Sequence, residues 1–123
     1  MKKELGDFQT PIELCEKVVE KISKYNSGWS RVLEPTCGKG NFIQAILNKT
    51  KVEEIFGFDI QKKYIDEDNE EFKNSIVKVR QQDIFKLDFS KIKWKTNGSL
   101  LIIGNPPWVT NSEIGKISGT NLP

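Results

Sequence analysis

Arg31-Val32-Leu33-Glu34-Pro35-Thr36-Cys37-Gly38-Lys39-Gly40-Asn41 decides how the rest of the chain is read. Arg31 to Glu34 is a short strand, and Pro35 to Asn41 is a turn punctuated by two glycines. Phe42, Ile43, Ile46 and Leu47 then place one apolar face on a following helix. In α/β folds the sequence strand, glycine turn, helix brings backbone close to a nucleotide-like ligand. Ile43 stands where a dinucleotide fingerprint needs its third glycine, which argues against NAD. No G-x-x-x-x-G-K-[ST] occurs, so a P-loop is excluded.

Upstream, Thr10-Pro11-Ile12-Glu13 reads as a helix start, with Thr10 as N-cap, Pro11 at the first helical position and Glu13 closing a capping box. Ile12, Cys15, Val18, Val19 and Ile22 recur at helical spacing, and Asn26-Ser27-Gly28 ends the element. A cap hydroxyl and unpaired helical N–H groups would also suit a carboxylate, so Thr10 carries both readings. Downstream, Ile55 to Asp59 is a second strand, and Lys62 to Asn74 a polar helix with Tyr64, Ile65 and Phe72 as its apolar contacts. Ile76 to Gln81 alternates like a third strand and ends near Asp83. A basic connector, 86 to 99, contains Trp94 and closes on the turn dipeptide Asn97-Gly98.

Leu100 to Ile103 is a short apolar run that stops at Gly104 and delivers Asn105-Pro106-Pro107-Trp108. Proline fixes its own φ, lacks an N–H and keeps the preceding residue out of the helical region. Two in succession hold Asn105 extended and leave carbonyls pointing outward. The segment after Trp108 is rich in glycine and serine and reads as loop.

Strands alternating with helices imply an α/β fold with a doubly wound, mostly parallel sheet. Right-handed crossovers favour the strand order 3-2-1-4, with the switch point between strands one and four. Glu34, Asp59, Asp83 and Asn105 all fall at C-terminal strand ends, the ligand-binding edge of such a sheet. Asp59 follows Gly40 by 19 residues, close to the roughly 20 expected for an acid that binds a ribose. Asp59 serves equally well as a cap for the next helix, and Asp83 as an ordinary turn acid.

The totals exclude several classes. A chain of 123 residues is large enough for one core, and a mean hydropathy of −0.49 suits a globular protein. Nineteen basic and seventeen acidic residues leave a net charge of +2, which neither demands nor excludes nucleic acid, because phosphate affinity depends on local patches. There is no histidine. Cys15 and Cys37 form no C-x-x-C, so no metal site is expected, and two reduced thiols in a cytoplasmic protein are the plainer reading. Met1-Lys2-Lys3 leads into Glu4, Gly6 and Asp7, so neither a signal peptide nor a membrane span is expected.

Val32 to Phe42 resembles the D-P-x-C-G-x-G-x-F motif of S-adenosylmethionine-dependent DNA adenine-N6 methyltransferases. Gly104-Asn105-Pro106-Pro107-Trp108 is similar to their [DNS]-P-P-[YFW] motif, and Gly6 to Pro11 to the cofactor-binding segment that precedes the glycine motif. Glu34 in place of the commoner aspartate is a mild departure. The resemblance covers residues 6 to about 122 and implies a class I, Rossmann-like methyltransferase fold.

It also implies roles. Thr10 and the backbone near Phe8 would meet the methionine end of the cofactor, and Glu34 its amino group, with Gly38 and Gly40 letting backbone approach. Asp59 would accept both ribose hydroxyls, with Ile60 against the adenine ring. Asp83 would accept from the exocyclic amine, with Ile84 or Phe85 over the ring. Asn105 and the Pro106 carbonyl would accept the N–H bonds of the target amino group, and Trp108 would stack on the flipped base.

On this reading residues 1–28 form a cofactor-side helix, 29–108 a half-sheet with the catalytic motif, and 109–123 a loop tail. The expectation is the N-terminal portion of a longer restriction–modification enzyme, truncated after strand four and lacking a target-recognition domain. DNA would be met through the full-length enzyme, and the exposed strand-four edge would favour self-association. Two alternatives stay open: a cofactor-binding half-domain without independent catalysis, and an RNA or protein-glutamine methyltransferase sharing the motif.

Overall fold

The computed structural model of the chain describes residues 9–106. Residues 1–8 and 107–123 lie outside that range, and with them Phe8, Pro107, Trp108 and the expected loop tail. The elements run α1 (Ile12–Ser23), β1 (Arg31–Glu34), α2 (Asn41–Lys49), β2 (Glu54–Asp59), α3 (Lys62–Glu71), β3 (Val77–Gln81), a 3-10 turn at Phe89–Lys91 and β4 (Leu100–Ile102).

The four strands are parallel and ordered β3-β2-β1-β4, the order expected from the alternation of elements. Register puts Val32 opposite both Ile55 and Leu101, and Leu33 opposite both Phe56 and Ile102. Since strand side chains alternate between faces, this register sorts the apolar residues into two layers. One face carries Val32, Ile55 and Val79, which form a common core with Cys15 and Val19 of α1, Phe42, Ile43 and Ile46 of α2, and Ile65 of α3. The other carries Leu33, Phe56 and Phe58 beneath Leu87, Ile92 and Trp94 of the connector. Trp94 meets the Phe56 ring edge-on at 4.9 Å, and the Arg31 guanidinium lies 5.1 Å from the Trp94 ring. Among the described residues no helix is long and apolar enough to cross a membrane.

Several boundaries shift from the sequence reading. Pro11, not Thr10, is the N-cap of α1, with extended backbone at ψ 146° and no side-chain capping bond, so the expected capping box is absent. The Thr10 groups are drawn instead toward Asn41 and Asn105. The third helix stops at Glu71; Phe72 turns into the core and Asn74 takes a left-handed φ of 65°. The connector is anchored by Glu54, a buried carboxylate that accepts from the N–H groups of Lys95 and Thr96 at 2.9 and 3.1 Å. Both cysteines are buried and free.

Close packing of the glycine turn on the sheet needs a gap in β2. Gly57 supplies it: a Cβ there would stand 2.8 Å from the Ile43 Cδ1 and 3.3 Å from the Cys37 Sγ. Ile46, fully buried between α2 and the sheet, is expected to cost about 2–5 kcal/mol when cut to alanine. Urea denaturation measures it, and a loss under about 1 kcal/mol would show that α2 does not seat against the sheet as described.

Candidate functional site

The C-terminal strand ends bring four side chains to one edge of the sheet. Glu34 and Asp59 are the last residues of β1 and β2, and Asp83 and Asn105 follow closely on β3 and β4. Between β1 and α2 the chain makes its glycine turn, with left-handed φ at Gly38 (52°) and Gly40 (80°). The Cys37 N–H donates to the Phe58 carbonyl at 2.7 Å, and the Gly40 N–H to the Cys37 carbonyl at 2.8 Å. Asp59 then fixes the turn from β2: its Oδ2 accepts from the Gly38 N–H at 2.9 Å, while its Oδ1 accepts from the Gln61 N–H at 2.8 Å. Each carboxylate oxygen has two lone pairs, so this anchoring leaves acceptor capacity on both.

Glu34 is 2% exposed. Its Oε1 accepts from the Thr36 N–H at 2.8 Å and the Thr36 hydroxyl at 3.3 Å. The carboxylate crosses to β4 and lies against Gly104, where a Cβ would come within 2.8 Å of the Glu34 Cδ. Burial pushes the Glu34 carboxyl up to about 8, against the lowering effect of the Thr36 bonds and with the charges of Asp59 and Asp68 adding to it.

Asp68 is the residue that sequence reasoning missed. It is 1% exposed, on the inner face of α3 beneath the glycine turn. The Cys37 thiol donates to its Oδ2 at 3.6 Å, and Oδ1 has no hydrogen-bond partner among the described residues. Burial raises its carboxyl to about 7, offset in part by the Cys37 bond. The spacing Tyr64, Ile65, Asp68, Phe72 marks one helical face and is the signal that would have found it. Burial, together with the charges of Asp68 and Glu34, pushes the Cys37 thiol far up, so it is neutral and no nucleophile. Glu34, Asp59 and Asp68 thus form a carboxylate cluster, and among the described residues no ion pair compensates it. Nor does any group of side chains there have a metal-holding arrangement.

The residues before α1 close the other side. The Lys39 N–H donates to Gln9 Oε1 at 2.9 Å, so the Gln9 amide lies over Gly38, where a Cβ would meet its Nε2 at 2.8 Å. Asn41 Nδ2 donates to the Thr10 carbonyl at 2.8 Å, and Asn105 Nδ2 to the Thr10 hydroxyl at 3.4 Å. Thr10 therefore bridges the glycine motif to the end of β4. Gln9, Thr10, Glu34, Thr36, Asn41 and Asn105 line a small cleft of about 20 Å³.

Further along the edge, Ile60 and Phe85 are large apolar side chains left 56% and 68% exposed, with Ile84 half-buried beside them. Asp83 accepts from the Phe85 N–H at 2.9 Å, the turn role open to it from the sequence. Gln81 Nε2 holds the Ile60 carbonyl at 3.0 Å, tying the ends of β2 and β3 together. Asn105 and Pro106 are exposed.

A family described as a methyltransferase domain matches residues 26–109 of this chain. The type II methyltransferase M.NspV of Nostoc sp. is 45% identical over 99% of the chain. A second type II methyltransferase, M.CvrRI of Paramecium bursaria Chlorella virus XZ-6E, is 33% identical over 85%. The chain spans 26% and 25% of the length of these two relatives. The ribosomal RNA small subunit methyltransferase A of Mesomycoplasma hyopneumoniae is 30% identical over 92% of the chain, which spans 40% of its length. Among solved structures, SAM-bound CalS10, an amino pentose methyltransferase of Micromonospora echinaspora, superposes on 68% of this chain and 34% of its own with a TM-score of 0.55 and 14% identity. An S-adenosylmethionine-dependent methyltransferase of Clostridium acetobutylicum superposes on 66% of this chain and 33% of its own, also at 0.55, with 20% identity. These superpositions show the fold, a Rossmann-like sheet of the same topology.

The raised carboxyls make stability depend on pH. Glu34 and Asp68 hold their protons in the folded chain to about 8 and about 7, above ordinary values of 4.5 and 3.8. Between roughly pH 4 and 8 the folded state therefore binds more protons than the unfolded one, and stability falls as pH rises. The urea midpoint is expected to decline from about pH 5 to pH 8, and Glu34→Gln to flatten that decline. A midpoint that climbs across the window would contradict the buried, uncompensated cluster.

Proposed function

Because this chain belongs to the methyltransferase domain family, we propose that it is the cofactor-side part of an S-adenosylmethionine-dependent enzyme that methylates the exocyclic amino group of adenine in DNA. The observation that carries the reading is the meeting of the glycine turn, Glu34, Asp59 and Asn105 at one sheet edge. The relatives' names, type II methyltransferases, favour DNA and a restriction–modification setting. Their greater length favours a whole enzyme with a further target-recognition region.

The residues present fit the cofactor. Glu34 lines the cleft among the acceptor groups of Thr10 and Thr36, and burial keeps its carboxyl protonated to about 8 when no cation faces it. An ammonium set there would stabilise its ionised form, and the methionine end of S-adenosylmethionine carries a sulfonium and an ammonium. Glu34 and Thr10 would face that end across the cleft they line, and the glycine turn of Gly38 and Gly40 would let backbone approach it. The spare lone pairs of Asp59 would take the ribose hydroxyls. Ile60 would lie against the adenine ring, with Ile84 or Phe85 over it, and Asp83 would accept from its amine.

When bound, the cofactor supplies an electrophilic methyl group. The chain's task is to make a poor nucleophile attack it. An adenine amino nitrogen is unreactive because its lone pair is delocalised into the ring. Asn105 and the Pro106 carbonyl, held extended by the prolines, would accept its two N–H bonds. That bias toward tetrahedral nitrogen also stabilises the positive charge developing during in-line attack. Trp108 would stack on the extruded base. No histidine base enters this chemistry, and the sequence has none.

A second reading, with an RNA base as acceptor, is favoured by the 30% identity to the ribosomal RNA methyltransferase. Supplying duplex DNA and structured RNA side by side to the whole enzyme separates the two. Among the described residues β4 pairs on one side only, and Leu100 and Ile102 are exposed along it. The purified 123-residue chain is accordingly expected to self-associate in light scattering; a strict monomer at high concentration would count against that.

In the whole enzyme Asn105→Ala is expected to lower methyl transfer by about 10²-fold or more, the scale of a lost transition-state hydrogen bond, with cofactor affinity nearly unchanged. Asp59→Asn is expected to weaken calorimetric S-adenosylmethionine binding by about ten-fold or more. Equal loss of binding and activity for Asn105→Ala would assign it a structural role, and unchanged affinity in Asp59→Asn would remove the ribose contact.

A further inference from the structure

The near-neutral total charge conceals a strongly cationic groove on the sheet face away from the three helices. The groove holds about 580 Å³. Its wall on β3 is Lys78 and Arg80, which register places beside Phe56 and Phe58 of β2. Its wall on the connector is Lys86, Lys91, Lys93 and Lys95. Asp88 is the acid in this lining, and its Oδ1 is already occupied by the Ser90 N–H at 3.0 Å and the Ser90 hydroxyl at 2.6 Å. Among the described residues none of the six cations makes an ion pair; the pairs present involve Lys49, Lys62 and Lys73. The neighbouring Lys95 amine pulls the Lys78 ammonium below the usual lysine range. Like charges gathered in this way are relieved by a bridging anionic oxygen.

We propose that this groove binds the phosphate backbone of nucleic acid, as a surface separate from the edge where Asn105 lies. The lining chooses between polyanions. Phe56 and Phe58 are sealed as its floor at 7% and 6% exposure, and Leu87 and Ile92 are half-buried. What projects is lysine and arginine stems with charged heads. A protein partner would need an apolar anchor to bury at the centre of the contact, and the floor offers none. A phosphate ladder needs only spaced cations in a concave track, read without regard to base sequence. Such a surface would hold duplex flanking the methylated site. The proposal rests on the nucleic-acid substrate of the preceding reading but not on its chemistry.

Fluorescence anisotropy of the 123-residue chain with a labelled 30-base-pair duplex, titrated across salt concentrations, tests it. Replacing Lys78 and Lys95 together by glutamine is expected to reduce the slope of log affinity against log salt by about 2, near 0.9 per phosphate contact, and to weaken binding at low salt. Lys91→Gln with Lys93→Gln, a pair confined to the connector, should act likewise. Lys62→Gln with Lys73→Gln on the opposite face removes the same charge and should leave the slope unaltered. No duplex binding, or equal slopes in all three pairs, would overturn the proposal. So would displacement of the duplex by polyglutamate at matched charge, which would assign the groove to an acidic protein. Calorimetry with S-adenosylmethionine on the same variants keeps the two readings apart. A lost salt slope with cofactor heat intact supports the groove, whereas a slope that behaves as expected while the whole enzyme shows no cofactor heat sinks the cofactor-site reading and leaves the groove standing.

Discussion

The Asp59 carboxylate is the tie on which the candidate site depends. By accepting from the Gly38 N–H with one oxygen and the Gln61 N–H with the other, it joins the turn after β1 to the end of β2 and the start of α3. That bridge holds Gly38, while the Gly40 N–H bond to the Cys37 carbonyl holds the second left-handed glycine. Gly57 allows the same approach from beneath by leaving room for the Cys37 side chain and Ile43. The turn is thus pinned by a charge from one side and by missing atoms from the other. The Cys37 N–H bond to the Phe58 carbonyl then extends β2's hold on it.

Around this tie the molecule is electrostatically divided. Glu34, Asp59 and Asp68 gather around the glycine turn at the C-terminal edge of the sheet, with Glu67, Glu70 and Glu71 continuing the acid along α3. Six cations gather on the opposite sheet face. A net charge of +2 averages these two surfaces. Both arise from strand alternation. In β3 Val79 goes to the helix side, while Lys78 and Arg80 go to the other.

Much of the fold was legible in the residues. Glycine turn, alternating elements and polar strand ends led to the strand order, because parallel strands with short crossovers leave few arrangements. Asn105, Asp59 and Glu34 were legible for the same reason: a polar residue directly after an apolar run must lie at a strand end. Asp68 was not, because an acid in an acidic helix is invisible until the helix's apolar face is seen to include it. Thr10 misled through a local rule. Thr-Pro-x-Glu matches a capping box, yet Thr10 bonds across the fold to Asn41 and Asn105, and no local pattern encodes partners 31 and 95 residues away. The cationic groove was hidden because Lys78 and Lys95 are far apart in sequence and meet only through the connector that Glu54 anchors.

What receives the methyl group is the decisive property of the enzyme. Incubating the whole enzyme with DNA and S-adenosylmethionine carrying a deuterated methyl, then digesting to nucleosides for mass spectrometry, measures it directly. The labelled methyl is expected on the N6 amino group of adenine. Label on cytosine, or on no base while the cofactor is bound, would contradict it.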